Sequence, residues 1–170
     1  PPVAELVDRM LDASDNRIAE QLTKEIGHHA GGGGSTAAGV AAIAEQAERL
    51  GLTVPGTRVV DGSGLHPENR ATCDGLANVL HHGGGVEGLL GPGLPVAGES
   101  GTLERRFRGN PAQGRMHAKT GSLNQVSALA GFVVLPEGET ATFAYVANRD
   151  PVDASVLAAL RRYPSDWFDV

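Results

Sequence analysis

The last third of the chain restricts the fold most. Met116 to Lys119 reads as a strand. Gln125 to Leu135 is a nearly continuous apolar run of strand length. Pro136-Glu137-Gly138-Glu139 is a turn, and Thr140 to Ala147 is a further strand with Phe143 and Tyr145 on one face. The links between these runs are too short for a crossover, so the three strands are expected to be antiparallel neighbours. One face of such a sheet must be covered, and the rest of the sequence supplies helices to do it.

Val3, Leu6, Val7, Met10 and Leu11 fall on one helical stripe that ends near Ala13. Ser14-Asp15-Asn16 opens a second helix bearing Ile18, Leu22 and Ile26, with Gly27 as its expected stop. Val40, Ile43, Ala44 and Ala47 mark a third helix ending near Gly51. Thr57–Val60 reads as a short strand entering the turn-rich Asp61-Gly62-Ser63-Gly64. Thr72 is placed to cap a fourth helix carrying Leu76, Val79 and Leu80, which Gly83-Gly84-Gly85 ends. Residues 84–113 are expected to be mostly loop, with one short helix. Asp150-Pro151 starts a last helix with Val156, Leu157 and Leu160 inward. The expected fold class is therefore α/β, an antiparallel sheet flanked by helices.

The 170 residues suffice for one domain, and 41% of them are apolar, but no run of about 18 apolar residues is present to span a membrane. Pro1-Pro2-Val3 does not begin a signal peptide. The net charge of −6 argues against nucleic acid as a partner. Arg105, Arg106, Arg108 and Arg115 read as a solvated basic face. Gly31-Gly32-Gly33-Gly34-Ser35 reads as a flexible linker, native or engineered. Cys73 is the single cysteine, so no internal disulfide forms; a packed thiol is expected. Adjacent histidines, His28-His29 and His81-His82, point about 100° apart on a helix and do not share a metal. No metal or other cofactor is expected. Ser63 lacks the flanking glycines of a nucleophile elbow, since 61 is Asp and 65 is Leu.

Two triplets carry the chemistry: Ser14-Asp15-Asn16, between two helices, and Lys119-Thr120-Gly121, followed by Ser122 at the end of a strand. Alone, the first is also an ordinary helix start and the second an ordinary turn. Together they are the companions of the Ser-x-x-Lys motif in penicillin-binding proteins and β-lactamases. The flanks extend the likeness. Met10–Glu20, Asp61-Gly62-Ser63-Gly64-Leu65 with Asn69-Arg70, Leu94–Gly98 with Gly101-Thr102-Leu103, and His117–Leu123 with Val126–Gly131 are collinear with family segments. The chain thus resembles the D-alanyl-D-alanine carboxypeptidase/endopeptidase family of low-molecular-mass penicillin-binding proteins, over nearly its whole length.

That resemblance implies part of a serine β-lactamase/penicillin-binding transpeptidase-like fold. It implies acyl transfer on the D-Ala-D-Ala ends of peptidoglycan stem peptides, with β-lactams as mimics, in the periplasm or another extracytoplasmic compartment. It assigns Ser14 to proton relay, Asn16 to holding the substrate amide, and Lys119 to positive charge near Ser14 and the substrate carboxylate. Thr120 would bind that carboxylate, Gly121 would let the substrate backbone approach, and the Ser122 N–H would be half of an oxyanion hole. No serine of the chain is followed by lysine three positions later. The expectation is therefore that residues 1–170 are the C-terminal portion of the catalytic domain. The Ser-x-x-Lys segment would then sit on a companion chain or a missing segment, and this chain alone would be inactive. A non-catalytic peptidoglycan-binding scaffold and a β-lactamase-like hydrolase are the rival readings.

Overall fold

A computed structural model describes residues 1–148; the helix expected after Asp150 lies outside the described residues. Four helices precede the sheet: α1 (Val3–Ala13), α2 (Asn16–His29), α3 (Thr36–Arg49) and α4 (Cys73–His82). Two single turns of 3₁₀ helix, Gly91–Gly93 and Gly101–Leu103, interrupt the Gly/Pro-rich stretch where one was expected. Then come β1 (Met116–Leu123), β2 (Val126–Val134) and β3 (Thr140–Asn148), in spatial order β1-β2-β3 and antiparallel throughout. The hairpin between β1 and β2 closes at the pair Leu123 and Val126. Thr57–Val60 does not become a strand; it contributes one bridge, Arg58 to Arg70.

β2 carries no polar side chain from Ala128 to Val134 because both its faces are covered there. Leu129 and Val133 pack with Met116, Ala118, Ala97, Leu103 and Ala112 on one side. Ala130 and Phe132 pack with Leu80 and Leu94 on the other, against partly buried Leu11 and Leu76 from α1 and α4. Alternation along a strand sends consecutive side chains to these two layers.

The amphipathic stripe of α1 is real, yet none of its residues is fully buried. Ile26 on α2 and Val79 on α4, expected inward, are 44% and 45% exposed. Gly27 does not stop α2, which continues to His29. Its role is packing. A Cβ at Gly27 would lie 2.5 Å from the Gly39 nitrogen, and one at Gly39 would lie 1.9 Å from the Thr23 carbonyl oxygen. The absence of both side chains lets α2 and α3 approach backbone to backbone. Ser35 caps α3 and Thr72 caps α4 through side-chain bonds to Ala38 N and Gly75 N. Cys73 begins α4 on the surface rather than packed, because the first turn of α4 faces outward.

Candidate active site

The first site element is the joint between α1 and α2. Ser14 ends α1 in the left-handed conformation, at φ 54° and ψ 47°, with its N–H bonded to the Met10 carbonyl. A serine held there costs roughly 1–2 kcal/mol more than the right-handed form, and such strain gathers at functional positions. The cap of α2 is not Ser14 but Asp15, whose carboxylate accepts from Arg17 N at 2.8 Å and Ile18 N at 3.1 Å. Capping by the neighbour leaves the Ser14 hydroxyl available. Asn16, the first residue of α2, is exposed, and its side-chain amide has no partner among the described residues.

The second element is β1. Lys119-Thr120-Gly121 lies inside the strand, not in a turn beyond it, since all three residues pair with β2. Alternation sends Lys119 toward the helical layer, where its ammonium donates to Ser14 Oγ at 2.6 Å and to the Thr120 carbonyl at 2.9 Å. Burial pushes the Lys119 ammonium below its usual value of 10.5. Thr120 turns to the opposite face, where its hydroxyl bonds Thr102 Oγ1 at 2.9 Å.

β1 is an edge strand with a partly covered edge. Ala97 N–H donates to the Met116 carbonyl and Ala118 N–H donates to the Pro95 carbonyl. The same parity points the backbone groups of Thr120 and Ser122 outward, past the end of this cover. Beside them lies a groove of about 190 Å³ lined by Thr102, Arg106, Thr120, Gly121, Ser122 and Ser127.

Of the six residues singled out from sequence, Lys119 and Ser14 are joined directly. Thr120, Gly121 and Ser122 line the groove, and Asn16 lies two positions beyond Ser14. Sequence reasoning missed Thr102 and Arg106 as site residues. Arg106 was taken as part of a solvated basic face, and Arg105 and Arg108 are indeed exposed. Arg106 is half-buried because the chain turns sharply at Phe107, φ 65°, and its guanidinium lies 5.2 Å from that ring's centre. Thr102 and Arg106 are four positions apart beginning in a helical turn, a spacing that could have paired them.

The Asp61 loop is tied to α2. Asp61 accepts from Ser63 Oγ, Gly64 N, His66 N and Asn69 Nδ2, at 2.7 to 3.1 Å. Burial pushes its carboxyl up, but the bonds from Asn69, Ser63, Gly64 and His66 outweigh it and hold it below 3.8. Ser63 is therefore a member of this turn. Gly62 N donates to Glu20 on α2 at 2.9 Å, and Glu20 also receives the Thr36 hydroxyl. No cluster of three or more His, Cys, Asp or Glu among the described residues is placed to hold a metal ion.

Helices over an antiparallel sheet, with a lysine on the edge strand reaching a serine between two helices, define a partial serine β-lactamase/penicillin-binding transpeptidase-like fold. The D-Ala-D-Ala carboxypeptidase 3 (S13) family matches residues 1–165, and the chain belongs to that family. It is 39% identical to the D-alanyl-D-alanine carboxypeptidase of Actinomadura sp. (strain R39), over 86% of this chain and 28% of the relative. It is 37% identical to carboxypeptidase DacB of Mycolicibacterium smegmatis, over 95% of this chain and 38% of the relative. The crystal structure of penicillin binding protein 4 (dacB) from Haemophilus influenzae, complexed with a novel β-lactam, superposes with a TM-score of 0.79 at 29% identity. That match covers 86% of this chain and 35% of the other. The chain thus spans about a third of the length of the relatives it matches.

Proposed function

We propose that this chain supplies the Ser-Asp-Asn and Lys-Thr-Gly elements of a serine-type, penicillin-sensitive D-Ala-D-Ala carboxypeptidase or endopeptidase acting on peptidoglycan stem peptides. The Ser-x-x-Lys pair comes from a segment or companion chain beyond these 170 residues. The observation that carries the reading is the Lys119–Ser14 hydrogen bond, which unites the two motifs beside an open strand edge.

The chemistry follows from the roles. The serine of the companion segment loses its proton to the lysine of its own motif and attacks the penultimate carbonyl. The Ser122 N–H, on the outward parity of β1, donates to the oxyanion; one such donor is worth about 10²–10³ in rate. Ser14 accepts from Lys119, so its own O–H is left to relay a proton: it passes its proton to the departing D-Ala nitrogen and takes in exchange the one that the lysine of the Ser-x-x-Lys motif removed from the serine. Asn16 holds the substrate amide. Thr120 binds the carboxylate, Lys119 adds positive charge, and Gly121 keeps the approach to the strand clear. Water then cleaves the ester and restores the serine. β-Lactams acylate the same serine. The substrate is extracytoplasmic, which assigns the protein to the periplasm or cell envelope.

The test is release of D-Ala from acetyl-D-Ala-D-Ala by the chain alone and by the chain assembled with a Ser-x-x-Lys-bearing polypeptide. Release only by the assembly supports the reading. The lack of Ser-x-x-Lys in the chain also favours a non-catalytic peptidoglycan-binding scaffold; peptide binding without release by any assembly would establish that instead. Rapid turnover of penicillin would establish the β-lactamase-like alternative.

A further inference from the structure

Two glycines seat the face of α1 that leads to Ser14. A Cβ at Gly93 would lie 2.8 Å from the Asp8 Cα and 3.1 Å from Leu11 Cδ1. One at Gly101 would lie 2.3 Å from Asp12 Oδ1 and 2.5 Å from the Asp12 carbonyl oxygen. Asp8, Leu11 and Asp12 are spaced i, i+3 and i+4, so they form one stripe of α1. The 3₁₀ turns Gly91–Gly93 and Gly101–Leu103 lay their backbones against that stripe. The contact at Gly101 is the tighter one, and it falls two residues before Ser14. Gly101 also has φ 51°, where a side chain is strained whatever the space.

The turn that meets α1 at Gly101 is fastened to β1. Thr102 bonds Thr120 at 2.9 Å. Gly98 N–H donates to the Leu103 carbonyl, and Ala97 N–H donates to the Met116 carbonyl. Leu103 is wholly buried in the cluster with Met116 and Ala118. β1 in turn carries Lys119, which returns to α1 through Ser14. These parts close a ring: the end of α1, Gly101, the Thr102–Thr120 pair, β1, Lys119 and Ser14. The Lys119–Ser14 hydrogen bond is thus backed by a second connection between β1 and α1, the contact at Gly101. Half of that contact is backbone against backbone, which no change of rotamer can relieve.

We infer that Gly101 is a positioning residue for the Lys119–Ser14 pair: the missing side chain at 101 sets how closely the end of α1 approaches β1. A Cβ there pushes α1 off the 3₁₀ turn, which stays fastened to β1, and so draws the Ser14 hydroxyl away from the Lys119 ammonium. The catalytic consequence rests on the acyl-transfer reading above; the geometric one does not.

The experiment reads Lys119 directly. The chain has two lysines, Lys24 and Lys119, so NMR of the full chain with isotopically labelled lysine reports Lys119 with Lys24 as internal reference. In the wild type the Lys119 ammonium should be protected from exchange with water by its bond to Ser14. Gly101→Ala should lose that protection while the Lys24 signal and the dispersed amide spectrum stay as they are. Gly33→Ala has the same left-handed backbone cost but no atom within 4 Å, and should leave Lys119 unchanged. Asp12→Ala removes the carboxylate half of the contact without adding bulk, and should reduce the protection partway; it decides the question if Gly101→Ala does not fold. In the enzyme assembled with its Ser-x-x-Lys segment, Gly101→Ala should lower kcat for D-Ala release by about 10–10²-fold, with KM moved less. Combined with Ser14→Ala, it should cost little beyond Ser14→Ala alone. An unprotected Lys119 in the wild type would overturn the assignment. So would protection unchanged in Asp12→Ala or in folded Gly101→Ala, or losses that add in the double variant. A folded assembly that releases no D-Ala would overturn the acyl-transfer reading alone, because the Lys119 signal decides the positioning in this chain by itself.

Discussion

The Lys119 ammonium meets the Ser14 hydroxyl at 2.6 Å although 105 positions separate the two residues. The contact ties the α1–α2 joint to the edge strand. If the pair acts as a unit, its losses should not add. In the enzyme assembled with its Ser-x-x-Lys segment, Ser14→Ala should lower kcat for D-Ala release by about 10²-fold or more, as removal of a positioned proton donor does. Lys119→Met should cost a comparable factor, and the double variant little more than either. Additive losses would show that the two side chains work independently.

Burial of Lys119 gives a pH signature. Its folded value lies below 10.5, so in the alkaline range between the two the unfolded chain binds more protons than the folded one. Stability contributed at this site therefore rises with pH through that range and levels off above 10.5. Urea midpoints should show the wild type gaining on Lys119→Met as pH approaches 10.5. A difference between them that is flat across the alkaline range would contradict this.

Asp61 behaves in the opposite sense. Its bonds from Asn69, Ser63, Gly64 and His66 hold the folded value below 3.8. The stability it contributes is present above 3.8 and is lost as pH falls through the folded value. Asp61→Asn should remove that part of the acid dependence and lower stability at neutral pH by about 1–2 kcal/mol, through the hydrogen bonds it weakens. Chemical denaturation from neutral pH to below 3.8 measures both.

The α2–α3 contact is the most sensitive packing point. Gly39→Ala would drive a Cβ to 1.9 Å from the Thr23 carbonyl, with no flexible side chain to yield. A loss of about 2–4 kcal/mol is expected. Gly34→Ala, where no atom lies within 4 Å and φ is ordinary, should be neutral or slightly stabilising. Thermal melts of the two variants check the contrast.

Strand periodicity and turn chemistry made the sheet legible from sequence, because short links leave three apolar runs no other arrangement. Helix boundaries were legible where a capping residue stood alone, as at Thr72. They failed at Gly27, where a glycine that looks like a stop serves close helix contact, a tertiary fact with no local signal. Ser14 looked like a helix start because Ser-Asp-Asn has three capping residues in a row, and only geometry reveals that Asp15 takes the cap. The motif pair was legible by order and spacing. The groove was not: Arg106 lies in a basic cluster indistinguishable from a solvated face until the backbone turns at Phe107. Thr102 acquires a role only through the hydroxyl of a residue 18 positions away.

Under the proposed function, this chain completes a penicillin-reactive site without providing its nucleophile. The most direct measurement is the intact mass of the chain and of a Ser-x-x-Lys-bearing companion, before and after incubation with a fluorescent penicillin. One adduct is expected on the companion, its formation dependent on Lys119, and none on residues 1–170. An adduct on this chain, or a fully assembled pair that takes up no penicillin, would contradict it.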